Sequence, residues 1–224
     1  MIKTLYPIFQ HWSEKGSVYI ISDTHFDDED RKFMGYDISE QDQIDVLKKY
    51  CHKNDTLIHL GDVGNPEYMN QLKCYKVLIM GNHDQSVKKF KPYFNEIYPG
   101  PLMISEKIIL SHEPLKNTTF ALNIHGHDHN GKNWKLLYYY IKYGIKPFFY
   151  YDEEFDRMHI QYSDLLNALI NGTKINCASN VINFNPYNLK DIINSGILKL
   201  IKSIHRQIID DATMRKELDD LFNK

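Results

Sequence analysis

The fold of this chain is decided by a short stretch near its start, Val18-Tyr19-Ile20-Ile21-Ser22-Asp23-Thr24-His25. Its first half is an apolar run with the length of a short buried strand, and its second half is polar. The polar half continues as an acidic loop up to Arg31. The stretch therefore predicts a strand that delivers an aspartate and a histidine to a loop at the edge of a sheet.

The same pattern of an apolar run with a polar end returns further along the chain. Residues 56–60 end at Gly61-Asp62, and residues 76–80 end at Gly81-Asn82. Helices are predicted between these strands at 39–50, with Ser39 as N-cap, and at 66–73, opened by Pro66. Alternating strands and helices indicate the layered sheet of an α/β protein.

The second half of the chain is richer in strands. Apolar runs at 102–104, 107–110, 120–124 and 175–178 each predict one. Residues 134–172 carry many tyrosines and phenylalanines followed by an amphipathic pattern, and we predict a mostly helical insertion there. Apolar residues at helical spacing predict a C-terminal amphipathic helix within 196–224. We expect one domain, 1–224, of the α/β (α+β) class.

Composition excludes several classes of protein. The chain has 224 residues with 42% hydrophobic and 25% charged residues, which is typical of one globular domain. A net charge of −2 gives no overall positive field for binding nucleic acid. No apolar stretch approaches the roughly 20 residues that span a bilayer, and the N-terminus lacks the apolar segment of a signal peptide. We therefore expect a cytoplasmic protein without a membrane partner.

Side chains that bind metal ions follow most of the predicted strands. Because loops at one edge of an open α/β sheet form its ligand sites, we expect these side chains to converge. Carboxylate and imidazole groups together suit Mn, Fe, Zn or Ni, and an aspartate can bridge two ions. The candidates are Asp23 and His25, Asp62, Asn82 and His83, His112, and His127 and His129.

These motifs resemble the calcineurin-like metallophosphoesterases, in particular their small bacterial and phage members. Five signatures of that family occur here in the family's order, within residues 18–129, and a weaker similarity returns at 175–193. The resemblance implies a four-layer αββα sandwich of two mixed sheets flanked by helices. The matching motifs are Asp23-Thr24-His25, Gly61-Asp62, Gly81-Asn82-His83-Asp84, Ser111-His112 and Gly126-His127-Asp128-His129.

The resemblance also implies a role for each residue of the motifs. Asp23, His25 and His129 would hold one divalent ion. Asn82, His112 and His127 would hold a second, and Asp62 would bridge the two. His83 would donate a proton to the leaving oxygen or stabilise charge there, with Asp84 orienting it. The implied cofactor is a pair of divalent ions, with Mn the first choice in vitro.

Each motif alone has a commoner structural explanation. Gly61-Asp62 could be a turn or a helix cap, and a histidine pair could be packed or solvated. The ordered set outweighs these explanations because the motifs support each other. His125 could orient one of the ligands through a hydrogen bond, or it could be a core or surface histidine. The aromatic residues of 138–151 could form a core or stack a base, and we favour packing.

One departure from the small relatives affects the expected substrate. Those relatives often have Gly-His after the first motif's Phe, whereas this chain has Asp27-Asp28 followed by Glu29 and Asp30. An acidic mouth of this kind would penalise highly anionic phosphomonoesters. The branch of protein serine/threonine phosphatases is disfavoured because Gly-Asp is followed here by Val63-Gly64-Asn65-Pro66.

Three functions stay open at this point. The first is a dinuclear metal-dependent hydrolase, a phosphodiesterase or phosphomonoesterase acting on a nucleotide or another small phosphoester. The second is a nuclease or end-processing enzyme, which would need a basic track that the net charge does not indicate. The third is a non-catalytic scaffold that binds a protein, which is disfavoured because all the expected ligands and His83 are present. The sequence leaves the oligomeric state open.

Overall fold

The computed structural model describes residues 1–116, 118, 120–129, 148–152, 157–161, 174–199 and 201. The strands are β1 (Val18–Ile21), β2 (Thr56–His59), β3 (Tyr75–Ile79), β4 (Glu96–Tyr98), β5 (Leu102–Ser105), β6 (Ile108–Leu110), β7 (Leu122–His125), β8 (Phe148–Asp152), β9 (Arg157–Gln161), β10 (Lys174–Asn176) and β11 (Tyr187–Asn188). The α-helices are α1 (Glu40–Tyr50), α2 (Val87–Phe90) and α3 (Leu189–Asn194). The 3₁₀ helices are Pro7–Ser13, Glu29–Phe33, Pro66–Gln71 and Ile197–Lys199.

Two mixed sheets form the framework of the described chain. The first has the strand order β11-β1-β2-β3-β4, and the second has the order β10-β7-β6-β5. In the first sheet β1 to β4 run parallel and β11 is antiparallel to β1. In the second sheet β10 and β6 are parallel to β7, and β5 is antiparallel to β6. Two mixed sheets with flanking helices confirm the predicted α/β sandwich class.

The parallel pairing of β1, β2 and β3 explains why polar groups from three motifs meet. All residues of β2 and β7 are buried, and a single hydrophobic core contains residues of both sheets, including Ile20, Ile58 and Ile124. Strands buried on both faces are expected to be mainly apolar, and the polar residues in these two are themselves hydrogen-bonded, as His59 is to Thr24 and Asn123 to Ser111. Since parallel strands end at the same edge of a sheet, the loops after β1, β2 and β3 lie side by side.

A backbone contact joins the end of β1 to the segment that follows β10. Ser22 forms a parallel bridge with Ala178. The N–H of Ser22 donates to the carbonyl of Cys177 at 2.9 Å, and the N–H of Ser179 donates to the carbonyl of Ser22 at 2.9 Å. This contact brings residues 177–180 beside the loop that begins at Asp23.

The helices begin where the sequence predicts. The Ser39 side chain accepts from the N–H of Asp42 and caps α1, and Pro66 opens a 3₁₀ helix whose N-cap is Asn65. Side-chain capping satisfies backbone donors that the first turn of a helix leaves unpaired. No helix within the described ranges is long and apolar enough to cross a membrane.

Within 134–172, for which we predict a mostly helical insertion, the structure describes two strands that the sequence did not predict. There β8 and β9 pair antiparallel, with Tyr150 opposite His159. The aromatic run of β8 favours a strand because flat, bulky side chains pack well on a pleated surface. The other residues of 134–172 lie outside the described part of the chain. Residue 200 and residues 202–224, which make up most of the predicted C-terminal helix, also lie outside the described part of the chain.

Glu96 of β4 anchors the N-terminal 3₁₀ helix to the first sheet. Its side chain is mostly buried and accepts hydrogen bonds from His11, Trp12, Tyr75 and Tyr98 at 2.6, 3.0, 2.8 and 2.6 Å. Burial raises the pKa of Glu96, but these donors outweigh it and lower the pKa below its ordinary value. The carboxylate therefore holds together three separate parts of the chain.

We expect Glu96→Leu to lower the free energy of unfolding by about 2 to 4 kcal/mol, because its donors lose a charged acceptor. Urea denaturation of the variant measures this loss. Glu14→Leu, at an exposed position of the same region, is the matched control. Equal losses in the two variants would show that the Glu96 cluster contributes nothing beyond the change of side chain.

Candidate metal centre

Several predicted ligands lie in a backbone conformation that residues other than glycine rarely adopt. The left-handed region costs a non-glycine residue of the order of 1 to 3 kcal/mol and is found mainly where function requires it. Here it turns the chain sharply at the strand ends and directs the side chains toward one another. The residues are Asp23, His25, Asp62 and His127, with φ of 54°, 45°, 55° and 68°.

Asp23, His25 and His129 form a first cluster of donor atoms. The Oδ1 of Asp23 lies 3.9 Å from the Nε2 of His25 and 3.6 Å from the Nε2 of His129. Asp23 Oδ1 and His25 Nε2 are both buried and have no hydrogen-bond partner in the structure. Because a buried polar atom without a partner is costly, these two atoms fit a cation held between them.

Both histidines of the first cluster are oriented by a hydrogen bond at Nδ1. His25 donates to the Oδ2 of Asp28 at 2.8 Å, and His129 donates to the Oδ1 of Asn180 at 3.2 Å. A proton on Nδ1 leaves the lone pair of Nε2 free for a metal ion. The partners therefore fix the tautomer that a ligand requires.

Asp62, Asn82, His112 and His127 form a second cluster. The Nε2 of His112 lies 2.8 Å from the Oδ1 of Asn82, 3.1 Å from the Nδ1 of His127 and 3.2 Å from the Oδ2 of Asp62. Tetrahedral ligands with bonds of about 2.1 Å are separated by about 3.4 Å, so the spacing suits a single ion. The Nδ1 of His112 donates to the Leu60 carbonyl at 2.9 Å, which again leaves Nε2 free.

Asp62 lies between the two clusters. Its Oδ2 is 3.2 Å from the Nε2 of His112 and 3.8 Å from the Nε2 of His25. Its Oδ1 accepts the backbone N–H of His83 at 2.9 Å, which fixes the rotation of the carboxylate. A carboxylate oxygen in this place can be shared by ions in both clusters.

The surroundings keep the aspartates ionised, which is the form that binds metal. Burial raises the pKa of Asp62, but in the metal-free protein the hydrogen bond with protonated His112, the charge of that ring and the N–H of His83 outweigh it and lower the pKa to about 2. The pKa of Asp23 is lowered as well, because the neighbouring His25 side chain and the charge of His112 outweigh its burial. The two carboxylates therefore offer negative charge to a cation at neutral pH.

Two glycines let the motif loops approach the aspartates. A Cβ on Gly81 would lie 2.2 Å from the Oδ1 of Asp62, and a Cβ on Gly126 would lie 2.2 Å from the Oδ2 of Asp23. Real Cβ atoms do not come so close, and the two carboxylates are themselves held by hydrogen bonds. The glycines before Asn82 and His127 are therefore required by packing against the ligand carboxylates.

The loop after β1 is held from outside the cluster by side chains that no sequence motif identifies. The carbonyl of Asp23 accepts from the hydroxyls of Tyr36 and Ser179. The carbonyl of Thr24 accepts from the buried guanidinium of Arg31 at 2.6 Å. No local sequence signal identifies these residues, because the role of each one follows only from the backbone carbonyl that it contacts.

His59 links the first two motif loops through a buried chain of hydrogen bonds. Its Nδ1 accepts from the N–H of Gly61 at 3.2 Å, and its Nε2 lies 3.0 Å from the hydroxyl of Thr24. That hydroxyl donates to the Val63 carbonyl at 2.9 Å, so it accepts from Nε2–H of His59. Complete burial lowers the pKa of His59 to about 3, which keeps the ring neutral. His59, the last residue of β2, therefore supports the two motif loops through hydrogen bonds.

We expect Thr24→Val to destabilise the metal-free protein by about 1 to 3 kcal/mol, because it leaves the Nε2–H of His59 buried without an acceptor. Thr24→Ser keeps the hydroxyl and is the matched control. Urea denaturation of both variants measures the difference. If the valine and serine variants unfold at the same urea concentration, the hydrogen-bond chain does not stabilise the loops.

His83 and Asp84 occupy different environments. His83 is exposed, and its ring centroid lies 5.7 Å from that of His25. Asp84 is buried, and its carboxylate accepts from the N–H groups of Asp62, Val63 and Gly81 at 2.9, 3.1 and 2.8 Å. That Asp84 also orients His83 stays a prediction. In the structure Asp84 ties the loop of Gly81 to the loop of Asp62.

His125 is buried at the end of β7, and its Nδ1 donates to the Gly126 carbonyl at 2.7 Å. The contact supports the backbone before His127 and not the ring of a ligand. The groups that orient ligand rings are instead Asp28, Asn180 and the carbonyl of Leu60. All the predicted ligands converge, and their role as ligands remains our proposal.

This chain is similar to a known protein family and to solved structures. The protein of unknown function AQ665 from Aquifex aeolicus is 24% identical with a TM-score of 0.54, over 80% of this chain and 98% of that one, so the two are similar in fold. The nuclease MPE from Pseudomonas putida is 21% identical with a TM-score of 0.36, over 49% of this chain and 59% of that one. No curated protein matches. The family model described as the calcineurin-like phosphoesterase superfamily domain matches residues 17–137, more than half of the chain, and the protein belongs to that superfamily.

Proposed function

We propose that this protein is a dinuclear metal-dependent phosphodiesterase acting on a small phosphoester. The observation that carries the proposal is the position of Asp62, whose Oδ2 lies within 3.8 Å of donor atoms in both clusters. Two divalent ions held there would supply an activated water and neutralise charge on the phosphate. The family match and the two donor clusters support hydrolysis of phosphate esters.

The donor set suits Mn, Fe, Zn or Ni. Asp23, His25 and His129 would hold one ion, and Asn82, His112 and His127 the other, with Asp62 shared. Imidazole and carboxylate donors together favour such ions over Mg and Ca, whose ligands are mainly oxygens. Mn is the first ion to test in vitro.

His83 is the group that we assign to the leaving oxygen. Its backbone N–H is fixed on Asp62, while its side chain is exposed beside the ring of His25. An imidazole in this position can donate a proton to a departing alkoxide next to the ions. We therefore assign proton donation to His83, the residue that the family resemblance implies for this role.

The acidic rim favours diesters over monoesters. Asp27, Asp28, Glu29 and Asp30 line a cavity of about 620 Å³ together with Phe26, Gly64, Asn65 and Lys89. The Asp27 carboxylate is fixed by Asn65 at 2.7 Å and Tyr68 at 2.9 Å. Negative charge fixed beside the site repels a doubly charged monoester more than a singly charged diester. The same repulsion disfavours a long nucleic acid strand.

Hydrolysis of bis(p-nitrophenyl) phosphate and p-nitrophenyl phosphate by metal-stripped protein refilled with Mn(II) tests the proposal, with the Asp62→Asn variant as the blank. We expect faster turnover of the diester. Faster turnover of the monoester would contradict the diester assignment but keep the hydrolase. No turnover of either substrate by folded, metal-loaded protein would favour the scaffold over the enzyme.

The proposed partner is a small phosphoester in the cytoplasm. The described cysteines, Cys51, Cys74 and Cys177, are buried free thiols, which suits a reducing compartment.

Neutralising the outer rim with Glu29→Gln and Asp30→Asn should raise kcat/KM for the monoester relative to the diester by about three- to tenfold. An unchanged ratio would show that the rim does not select the substrate's charge.

A further inference from the structure

Asp28 lies in the acidic segment that follows the first motif, and it contacts a proposed ligand, His25, directly. The geometry points to Asp28 as the positioning residue that fixes the tautomer of His25 and thereby sets the affinity of the first cluster for its ion. This inference rests on the proposed function, since it concerns the same centre. It assigns to Asp28 the orientation of the His25 ring, a role separate from its contribution to the negative charge of the acidic rim.

The contact selects one form of the His25 ring. The Oδ2 of Asp28 lies 2.8 Å from the Nδ1 of His25, and a carboxylate can only accept. The proton is therefore held on Nδ1, and Nε2 presents its lone pair near Asp23 Oδ1 at 3.9 Å and Asp62 Oδ2 at 3.8 Å. That Nε2 atom is buried and has no hydrogen-bond partner.

Asp28 is itself held in place. Its Oδ1 accepts from the N–H of Asp30 at 3.0 Å and caps the 3₁₀ helix Glu29–Phe33, and its own N–H donates to the His25 carbonyl at 3.1 Å. Its side chain is 26% exposed, so water competes only partly for the contact. Since each carboxylate oxygen has its own task, an amide at this position can serve only one of them.

The charge of Asp28 distinguishes His25 from the ligand histidines whose Nδ1 partners are neutral. His112 donates to the carbonyl of Leu60, and His129 donates to the amide oxygen of Asn180. An imidazole that donates to a carboxylate becomes a stronger metal ligand than one that donates to a neutral oxygen. The first cluster therefore depends on Asp28 more than the second cluster depends on any single supporting side chain.

Isothermal titration of metal-stripped protein with Mn(II) and with Zn(II) tests this inference through the dissociation constants of the two ions. We expect Asp28→Asn and Asp28→Ala to raise the dissociation constant of the first ion by about 10- to 100-fold and to leave the second unchanged. Asp30→Asn, an exposed carboxylate of the same segment, is the matched control and should leave both constants unchanged.

A long-range ¹H–¹⁵N spectrum of the metal-free protein separates positioning from folding. We expect His25 to be protonated at Nδ1 in the wild type and to become a mixture of tautomers in Asp28→Ala, with the unfolding temperature of Asp28→Asn close to that of Asp30→Asn. Wild-type affinity for both ions in Asp28→Asn would overturn the inference alone. Absence of metal binding in the wild type would overturn the proposed function together with it.

Discussion

Asp62→Asn is expected to reduce metal-dependent hydrolysis of phosphate esters by about a thousandfold or more while the fold stays intact. The reason lies in Oδ2, the atom placed between the clusters, 3.2 Å from His112 and 3.8 Å from His25. In the variant an NH₂ group can occupy that place, and it carries no lone pair for an ion. Losing several kcal/mol of charge stabilisation corresponds to a rate loss of this size.

The remaining contacts of Asp62 explain why the fold should survive. The backbone has φ of 55°, and asparagine tolerates the left-handed region about as well as aspartate. The amide oxygen can still accept the N–H of His83, which Oδ1 accepts at 2.9 Å in the wild type. The Asp62 N–H donates to Asp84 through the backbone and is unaffected.

The measurement compares kcat/KM of Asp62→Asn, wild type and Asp37→Asn on bis(p-nitrophenyl) phosphate with Mn(II). Asp37 is exposed, and its variant controls for the loss of one charge. Circular dichroism and the unfolding temperature of the metal-free proteins check the fold. Activity of Asp62→Asn within tenfold of the wild type would contradict the two-ion centre.

His83→Ala is expected to slow the hydrolysis of esters with poor leaving groups by about 10²- to 10⁴-fold, the usual contribution of a general acid. Esters of p-nitrophenol should be slowed much less, because p-nitrophenolate leaves without a proton. The exposed ring of His83 beside His25 is the structural basis for this expectation. Removing the ring leaves the backbone N–H on Asp62 in place.

A series of diesters with leaving groups from p-nitrophenol to simple alcohols measures the effect. The slope of log kcat/KM against leaving-group pKa should be steeper for His83→Ala than for the wild type. Gln85→Ala, at an exposed neighbouring position, is the control and should keep the wild-type slope. Parallel slopes for His83→Ala and the wild type would assign His83 to binding and not to proton transfer.

Much of the site could be predicted because its signals are local. The strands Val18–Ile21 and Thr56–His59 are followed within three residues by Asp23 and Asp62, so the same short stretch of sequence indicates both the strand and the ligand. The strands β8 and β9 were not predicted because an aromatic run suits a strand as well as a helix, and only the pairing of the two strands decides. The contacts of Asp84 were not predicted because the N–H groups of Asp62 and Val63 belong to another loop.

By itself the sequence determined the α/β class, the order of the motifs and the side chains that meet at the strand ends, because apolar runs and motif spacing act over a few residues; the two sheets were implied by the family resemblance. Only the tertiary structure decided how those side chains are oriented. The Asp23 carbonyl and Ser179 are 156 positions apart, and His129 and Asn180 are 51 apart. Contacts over such separations depend on how the sheets pack, and packing also holds the ligand backbones in the left-handed region that their own preferences disfavour.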